Sequence, residues 1–462
     1  MMHPMHYRDK KVVVLGLAKS GIAVAKLFHE YGAAVTVNDK KERDACPEAD
    51  ELTALGISVI CGGHPLTLIN EEVSLVVKNP GIPYSAEPVA RALELGIETV
   101  TEVEVAYHIC KAPIIGITGS NGKTTTTTWI GNMLEAAGLS PIVAGNIGRP
   151  LCDAALEATA DNRMVVELSS FQLKGTSAFR PNIACLLNVF QTHLDYHGGM
   201  EDYISSKLKL FANQTPDDVA VLNADDDVCR GLMPKVKAKV LAFSMSELTE
   251  CGFFLQDDTI ICRTFDGELV KVLPAGELGL PGRHNVQNAL AASAAAYAAG
   301  VSFETIAEVL KSFRGVEHRL EFVKERNGVT YINGSKATNP AATIMDIEAF
   351  SQPVVLIAGG LERGMDYMEL LPYFANRVKA VVTLGETREK INRVAEQAGL
   401  VAVKSVDNAN TPAETLAEAV RIADGLAESG DVVLLSPACA SWDMFVSFEE
   451  RGRIFKQSVH NL

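Results

Sequence analysis

Short runs of apolar, β-branched residues recur at 12–15, 35–37, 75–77, 114–118, 164–168, 219–222, 354–358, 381–384 and 432–435, and helical stretches separate them. A strand covered on both faces reads as such a continuous run, and parallel neighbours need a crossover of a dozen or more residues, usually a helix. The pattern therefore calls for parallel sheets clothed by helices, an α/β fold. At 462 residues and roughly 150 per domain, about three such domains are expected. Joints near 107–113 and 313–319 place them at 1–111, 112–316 and 317–462. The second joint precedes a hairpin over 322–333, turned by Asn327-Gly328, a pair suited to a tight two-residue turn. No internal repeat or low-complexity tract interrupts the alternation, which excludes solenoids and disordered arrays.

Composition narrows the partners. The 42 Lys and Arg against 57 Asp and Glu leave −15 at pH 7, and such a surface disfavours nucleic acid or an anionic membrane. The opening MMHPMHYRDK lacks the apolar core of a signal peptide. The Ala-rich run 289–299 is too short to span a bilayer and includes Ser293 and Tyr297. Nine scattered cysteines with no CxxC pair indicate reduced thiols rather than a zinc site or a disulfide framework. A cytoplasmic protein follows, and a monomer is expected.

The first domain opens with a strand, the turn Gly16-Leu-Ala-Lys-Ser-Gly21 and a helix start, and Asp39 follows the next strand. This is close to a dinucleotide fingerprint, yet Ala18 and Lys19 stand where its middle glycine would let backbone approach a pyrophosphate. Gly16 either serves only to turn the chain or helps hold another phosphorylated ligand, with Lys19, Lys40 and Lys41 nearby. A second turn, Asn79-Pro-Gly-Ile-Pro83, falls at a strand's carboxyl end, where open sheets bind ligands.

The central domain begins Ile114-Ile-Gly-Ile-Thr-Gly119-Ser120-Asn121-Gly122-Lys123-Thr124-Thr125. The strict eight-residue phosphate-loop pattern would need glycine at Ile117; the shorter GxxGKT remains. Its chemistry is unchanged: loop NH groups cradle phosphate, Lys123 neutralises terminal phosphates and the Thr124 hydroxyl suits Mg²⁺. Glu167 and His193 follow strand ends beside that loop, and O and N donors suit Mg²⁺ or Mn²⁺. Taken singly, such a Glu is as readily a capping partner and such a His a structural one. Lys207 lies on the helix over 200–211, His197 and Asp195 read as structural or surface residues, and Asn285 and Asn288 either cap their helix or read a nucleotide.

Together, Gly119-Ser-Asn-Gly-Lys-Thr, Glu167-Leu-Ser-Ser-Phe-Gln, Asn188…His193-Leu-Asp, His284-Asn285…Asn288 and Glu317-His-Arg319 resemble the motifs of the Mur ligases, the ATP-dependent amide-forming enzymes of bacterial cell-wall precursor synthesis. Gly16–Gly21, Asn333-Gly-Ser-Lys336-Ala-Thr338-Asn and Ser436-Pro-Ala-Cys-Ala-Ser441-Trp-Asp look most like the branch that joins D-glutamate to UDP-N-acetylmuramoyl-L-alanine. The resemblance spans the whole chain. It implies a Rossmann-like N-terminal domain, a central P-loop-type ATPase domain and a Rossmann-like C-terminal domain that binds the amino acid and closes on ATP. It also implies an acyl-phosphate intermediate, with Lys123, Glu167, His193 and Lys207 catalytic.

By the same resemblance, Gly119, Ser120, Asn121, Gly122, Lys123, Thr124, Thr125, Asn285, Asn288 and Arg319 would hold ATP. Thr124, Glu167, His193 and a carbamylated Lys207 would hold Mg²⁺. Ser20, Gly21, Asp39, Lys40, Asn79, Gly81 and Asn146 would meet the UDP-sugar, and Lys336, Thr338, Arg363, Ser441 and Phe448 the amino acid. Phe448 is equally readable as core packing. One departure stands out: the family pattern carries an aspartate where this chain has Gly334, and weaker ATP binding with an intact fold is expected from it. A ligand-binding homologue without turnover is motivated by Gly334 alone. A folylpolyglutamate-type ligase is disfavoured by the UDP-type first domain, and a nicotinamide oxidoreductase by Ala18 and the phosphate loop.

Overall fold

The computed structural model describes residues 1–190, 194–280, 282–407 and 411–462. By its internal packing the chain divides into two compact units, Met1–Phe313 and Arg314–Leu462.

The first unit holds two sheets. Strands β1 (Lys11–Leu15), β2 (Ala34–Asn38), β3 (Ser58–Ile60), β4 (Val73–Lys78) and β5 (Thr99–Val100) form a parallel sheet in the order β3-β2-β1-β4-β5. The order reverses between β1 and β4, and in open α/β sheets the crevice outside the strand ends at that point takes ligand. The second sheet comprises β6 (Ile114–Thr118), β7 (Pro141–Gly145), β8 (Arg163–Glu167), β9 (Ile183–Leu186), β10 (Val219–Asn223), β11 (Lys239–Ser244), β12 (Gly252–Gln256), β13 (Thr259–Arg263) and β14 (Leu269–Pro274). Its order is β14-β13-β12-β11-β10-β9-β6-β8-β7, so β6 lies between β8 and β9 at the reversal.

Not every strand is parallel, as the sequence pattern had implied. Strands β12, β13 and β14 form two antiparallel pairs in succession, the first turned by Asp257-Asp258, both at positive φ. Two-residue turns of this hand suit the twist of a hairpin, and the short connections leave no room for the crossover helices that parallel pairing needs.

One contiguous apolar cluster runs from Tyr7 and Val12 through Val105, Val166 and Leu186 to Ala238, so the two sheets of this unit share a core. The helix Glu102–Ile109 sits at that junction and carries two buried carboxylates. Glu104 accepts hydrogen bonds from the backbone NH groups of Ser177, Ala178 and Phe179 and the Ser177 hydroxyl. Glu102 accepts one from the NH of Cys152, at the start of the helix Leu151–Glu157. The Ala-rich helix Arg283–Ala298 packs on the helix Lys123–Ala136. Its buried alanines allow close approach between the two backbones.

The second unit contains β15 (Glu321–Arg326), β16 (Val329–Asn333), β17 (Val354–Ala358), β18 (Val378–Thr383), β19 (Ala402–Ser405) and β20 (Val432–Leu435), ordered β15-β16-β20-β17-β18-β19. The hairpin β15–β16 is antiparallel, with Asn327 and Gly328 both at positive φ in its turn; the other pairs are parallel. Apolar clusters lie on both faces, one around Val355, Tyr331 and Phe455, the other around Leu356, Phe374 and Ile391. Among the described residues no helix is long and apolar enough to cross a membrane, and all nine cysteines are free.

Candidate active site

The phosphate loop connects β6 to the helix Lys123–Ala136, and Gly122 makes the turn at φ +82°. A side chain there would also collide with Asn288, whose Oδ1 lies 2.2 Å from where a Cβ would stand. Asn188 braces the loop: its carbonyl accepts from Ser120 N at 3.0 Å and its Oδ1 from Asn121 N at 2.9 Å. The Ser120 hydroxyl joins Tyr203 OH at 2.9 Å and the Phe190 carbonyl at 3.1 Å. Thr125 is half-buried on the same first helical turn, while Asn285 and Asn288 are buried near the start of the neighbouring helix.

Two ammonium groups and one carboxylate converge here. Lys123 Nζ donates to the carbonyls of Gly119 and Ser120, both at 2.9 Å. Lys207 Nζ donates to Gly119 O at 2.8 Å and lies 4.7 Å from the Tyr203 ring centroid. Lys207 is buried, and that burial, reinforced by the Lys123 charge, holds its ammonium well below the usual lysine range. The neutral amine it favours is a nucleophile. Glu167, buried at the end of β8, accepts from the Thr124 hydroxyl on Oε2 and from Asn146 Nδ2 on Oε1, each at 2.7 Å. Gly145 must remain glycine for this bridge, because a Cβ would stand 2.4 Å from the Glu167 carbonyl oxygen.

His193, which the sequence reading paired with Glu167, lies outside the described residues. His197 is buried rather than at the surface: it hydrogen-bonds Asp202 at 2.7 Å and Ser170 at 2.9 Å and stacks on Phe171.

The first sheet offers a cavity of about 490 Å³ at the β1/β4 reversal. It is lined by Asp39, Lys40, Asn79 and Gly81, together with Cys46 and His64, which the sequence did not single out. Gly16 turns at φ +98°, and a side chain there would meet Asn79. A Cβ on Gly21 would stand 2.1 Å from the Gly16 carbonyl oxygen, so this residue lets the helix start close to the turn. Asp39 accepts from Leu17 N at 2.8 Å and Lys41 N at 2.9 Å. A neighbouring cavity of about 440 Å³ brings Ser20 and Gly81 together with Asn146, Phe171 and Gln172.

Beneath these turns Lys78 is buried at the end of β4, donating to the carbonyls of Asn79 and Pro80 and to Tyr196 OH. Burial, with the charge of Lys174, lowers it to about 7. Such a lysine is invisible in sequence, where the residue type reads as surface.

In the second unit Lys336 Nζ lies 5.1 Å from the Phe448 ring centroid, so Phe448 faces a candidate ligand residue as well as packing edge-on to His318. Arg363 stands 5.0 Å from the Trp442 ring, next to the buried Ser441, and Leu361 N reaches Ala440 O at 3.0 Å. Thr338 is half-buried, two residues past Lys336. Arg451, also missed in sequence, is a buried guanidinium that clamps Ser335 to the Cys439 carbonyl. Among the described residues, the cluster with metal-ligand spacing is Glu317, His318 and Glu321, and Lys456 already bridges its two carboxylates.

Comparison with known proteins adds independent findings. Residues 10–101 match the family described as Mur ligase MurD-like, N-terminal domain; residues 117–296 match the Mur ligase middle domain, and 318–439 the Mur ligase, glutamate ligase domain. The UDP-N-acetylmuramoylalanine–D-glutamate ligase of Geobacillus kaustophilus (strain HTA426) is 50% identical over 457 residues, 99% of this chain and 98% of that one. The same-named protein of Bacillus cereus (strain Q1) is 50% identical over 99% of this chain and 98% of its own length. The fold is shared with the UDP-N-acetylmuramate–alanine ligase MurC of Thermotoga maritima (TM-score 0.57, 19% identity, 98% and 99% covered). It is shared too with the MurF ligase of Thermotoga maritima in complex with ADP (TM-score 0.53, 17% identity, 100% and 97% covered).

Proposed function

This chain belongs to the Mur ligase family, and from that premise we infer that it joins D-glutamate to UDP-N-acetylmuramoyl-L-alanine in peptidoglycan-precursor synthesis. It is an ATP-dependent, ADP-forming amide ligase. The observation that carries the site assignment is the Thr124–Glu167–Asn146 bridge, which ties the phosphate loop to the cavity holding Ser20 and Gly81. A nucleotide's terminal phosphate and the carboxylate of a sugar-linked peptide need such neighbouring seats to react.

The chemistry follows in two steps. The L-alanine carboxylate attacks the γ-phosphorus of ATP, forming an acyl phosphate and releasing ADP. The D-glutamate amine then attacks the carbonyl carbon; the tetrahedral intermediate loses phosphate, and the amine loses its proton. Every reactant is an anion on a chain of net charge −15, so charge neutralisation is the main catalytic contribution.

In this reading Lys123 holds the transferring phosphate, and the loop from Gly119 to Thr125 cradles its neighbours, with Asn285, Asn288 and Arg319 as further nucleotide contacts. Thr124 and Glu167 present oxygens 2.7 Å apart, a donor set suited to Mg²⁺, and would hold it with His193 and Lys207. The ion would polarise the phosphoryl oxygens. The lowered affinity of Lys207 for a proton supports carbamylation, since the neutral amine is the form that captures CO₂. Asp39, Lys40, Asn79, Gly81, Ser20, Gly21 and Asn146 receive the UDP-sugar, and Lys336, Thr338, Arg363, Ser441 and Phe448 the D-glutamate. The jobs follow the division at 1–111, 112–316 and 317–462, in a cytoplasmic monomer.

ADP release tests this directly. It should require both UDP-N-acetylmuramoyl-L-alanine and D-glutamate, and a panel of D- and L-amino acids should single out D-glutamate. Release without the amino acid, or equal rates with L-glutamate, contradicts the assignment.

A further inference from the structure

Lys78 closes β4, the strand that leads into the turn at 79–83, and it is buried. An ammonium carries three hydrogens, and each has an acceptor here: the Asn79 carbonyl at 3.3 Å, the Pro80 carbonyl at 3.2 Å and the Tyr196 hydroxyl at 3.1 Å. Its Nζ also lies 4.8 Å from the Tyr84 ring centroid and 5.8 Å from that of Tyr196. Among the described residues no carboxylate pairs with it, and Asp202 is taken by Lys174 at 2.6 Å. Burying an ammonium without a counter-charge is costly. The worth of this lysine therefore lies in the three acceptors it gathers.

Tyr196 completes the tie from a distant part of the chain. It stands in the short helix Leu194–His197, 118 positions from Lys78. Burial holds its phenol well above the usual tyrosine range, so the hydroxyl keeps its proton. That proton is shared between the carbonyls of Pro80 at 2.9 Å and Ile82 at 3.2 Å. Two side chains thus claim the carbonyls at 79, 80 and 82. The Tyr196 ring packs edge-on against Phe171, with centroids 4.4 Å apart. Next to it His197 pins the helix to Ser170 and Asp202.

Pro80, Gly81 and Phe171 all line the cavity of about 440 Å³, and so does Asn146, whose amide meets Glu167 beside the phosphate loop. Tyr196 therefore touches two stretches of one cavity wall, one following β4 of the first sheet and one following β8 of the second. Lys78 holds Tyr196 to the first of them.

We propose that Lys78 is a positioning residue for the ligase reaction: through Tyr196 it holds the turn at Pro80-Gly81 against Phe171, so that a carboxylate bound in this cavity is presented to the phosphate loop. This rests on the assignment of the cavity to the sugar-linked peptide. A ligand can then bind without the tie but cannot be aligned without it.

Two substitutions test it. Tyr196→Phe keeps the ring against Phe171 and removes only the hydroxyl that Lys78 and the turn share. Lys78→Met keeps the length of the side chain and removes the three donors. Turnover, read as ADP release at saturating substrates, should fall about a hundredfold in Lys78→Met, the size of a misplacement of about 1 Å at the reacting groups. In Tyr196→Phe it should fall about tenfold, the loss of one hydrogen bond to a charged donor. The double variant should be no slower than Lys78→Met, because both changes sever the same bond. Equilibrium titration should find ATP affinity unmoved in all three, and affinity for UDP-N-acetylmuramoyl-L-alanine should fall less than turnover does. General loosening of the fold would lower both affinities together. Unchanged turnover in Tyr196→Phe overturns the proposal, and this variant decides the matter if Lys78→Met does not fold. A loss of ATP affinity equal to the loss of turnover, or a double variant in which the two costs multiply, overturns it too. Failure of the cavity assignment shows separately, as no binding of UDP-N-acetylmuramoyl-L-alanine by the unmodified protein.

Discussion

Two strand–turn–helix elements of the first unit share one architecture and differ in chemistry. After β1, Gly16 turns at φ +98° into the helix Lys19–Glu30; after β6, Gly122 turns at φ +82° into the helix Lys123–Ala136. Neither helix start has a side-chain cap hydrogen bond, so both carry backbone NH groups of the kind that bind anions. At the first turn a carboxylate intervenes: Asp39 takes the NH of Leu17, a donor that a pyrophosphate would otherwise use. At the second, Lys123 and the buried Lys207 crowd the loop carbonyls, and the nearby acid, Glu167, faces Thr124. Shared geometry makes both elements possible nucleotide sites. On the reading proposed above, side-chain charge assigns the triphosphate to the second turn and a ligand that brings hydroxyl donors to Asp39 at the first.

That contrast can be broken in steps of decreasing size. Lys123→Ala should lower turnover about a thousandfold, the upper range for removing one preorganised charge partner, read as ADP release at saturating substrates. Lys207→Ala should cost about a hundredfold, and added short carboxylic acids should partly restore it by supplying the oxygens of a carbamate. Undiminished activity would remove the carbamate from the mechanism. Asp39→Ala should raise the KM for the UDP-sugar about tenfold, the loss of a charged acceptor, with the KM for ATP unmoved. A matching rise for ATP would dissolve the distinction between the two turns.

The smallest effect concerns the helix between the two sheets, where neighbouring carboxylates have opposite tendencies. Burial alone would raise Glu104, but hydrogen bonds from His108 and the Ser177–Phe179 segment draw it to about 2. Its stabilisation is present above the unfolded value of 4.5 and is lost as pH falls towards 2. Glu102, raised to about 7 by burial, keeps a proton in the fold that the unfolded chain has released, so stability declines as pH rises from 4.5 to 7. Melting curves against pH should lose the acid-side slope in Glu104→Gln and the neutral-side decline in Glu102→Gln.

Sequence made the two strand–turn–helix elements legible because each combines a β-branched run with a glycine that only a turn explains, as at Gly122. The antiparallel edge β12–β14 was not legible: its outer strand Leu269–Pro274 is interrupted by Lys271 and only Leu273 is fully buried, and its first turn uses Asp257-Asp258 rather than a glycine pair. Asp346 was hidden for another reason. It reads as one acid in the run Ile344-Met345-Asp346-Ile347, and the approach of its carboxylate to Gly334 is a contact that only the packing of helix on sheet creates. Lys78 and Arg451 were likewise beyond sequence, since their burial depends on acceptors supplied by turns and strand ends elsewhere in the fold.

The most direct test of two turns with two ligands is equilibrium binding of ATP and of UDP-N-acetylmuramoyl-L-alanine, each titrated separately into the unmodified protein, Lys123→Ala and Asp39→Ala. A crossed result is expected, with Lys123→Ala losing ATP but keeping the UDP-sugar and Asp39→Ala doing the reverse. Loss of both ligands in either variant would contradict the division of labour.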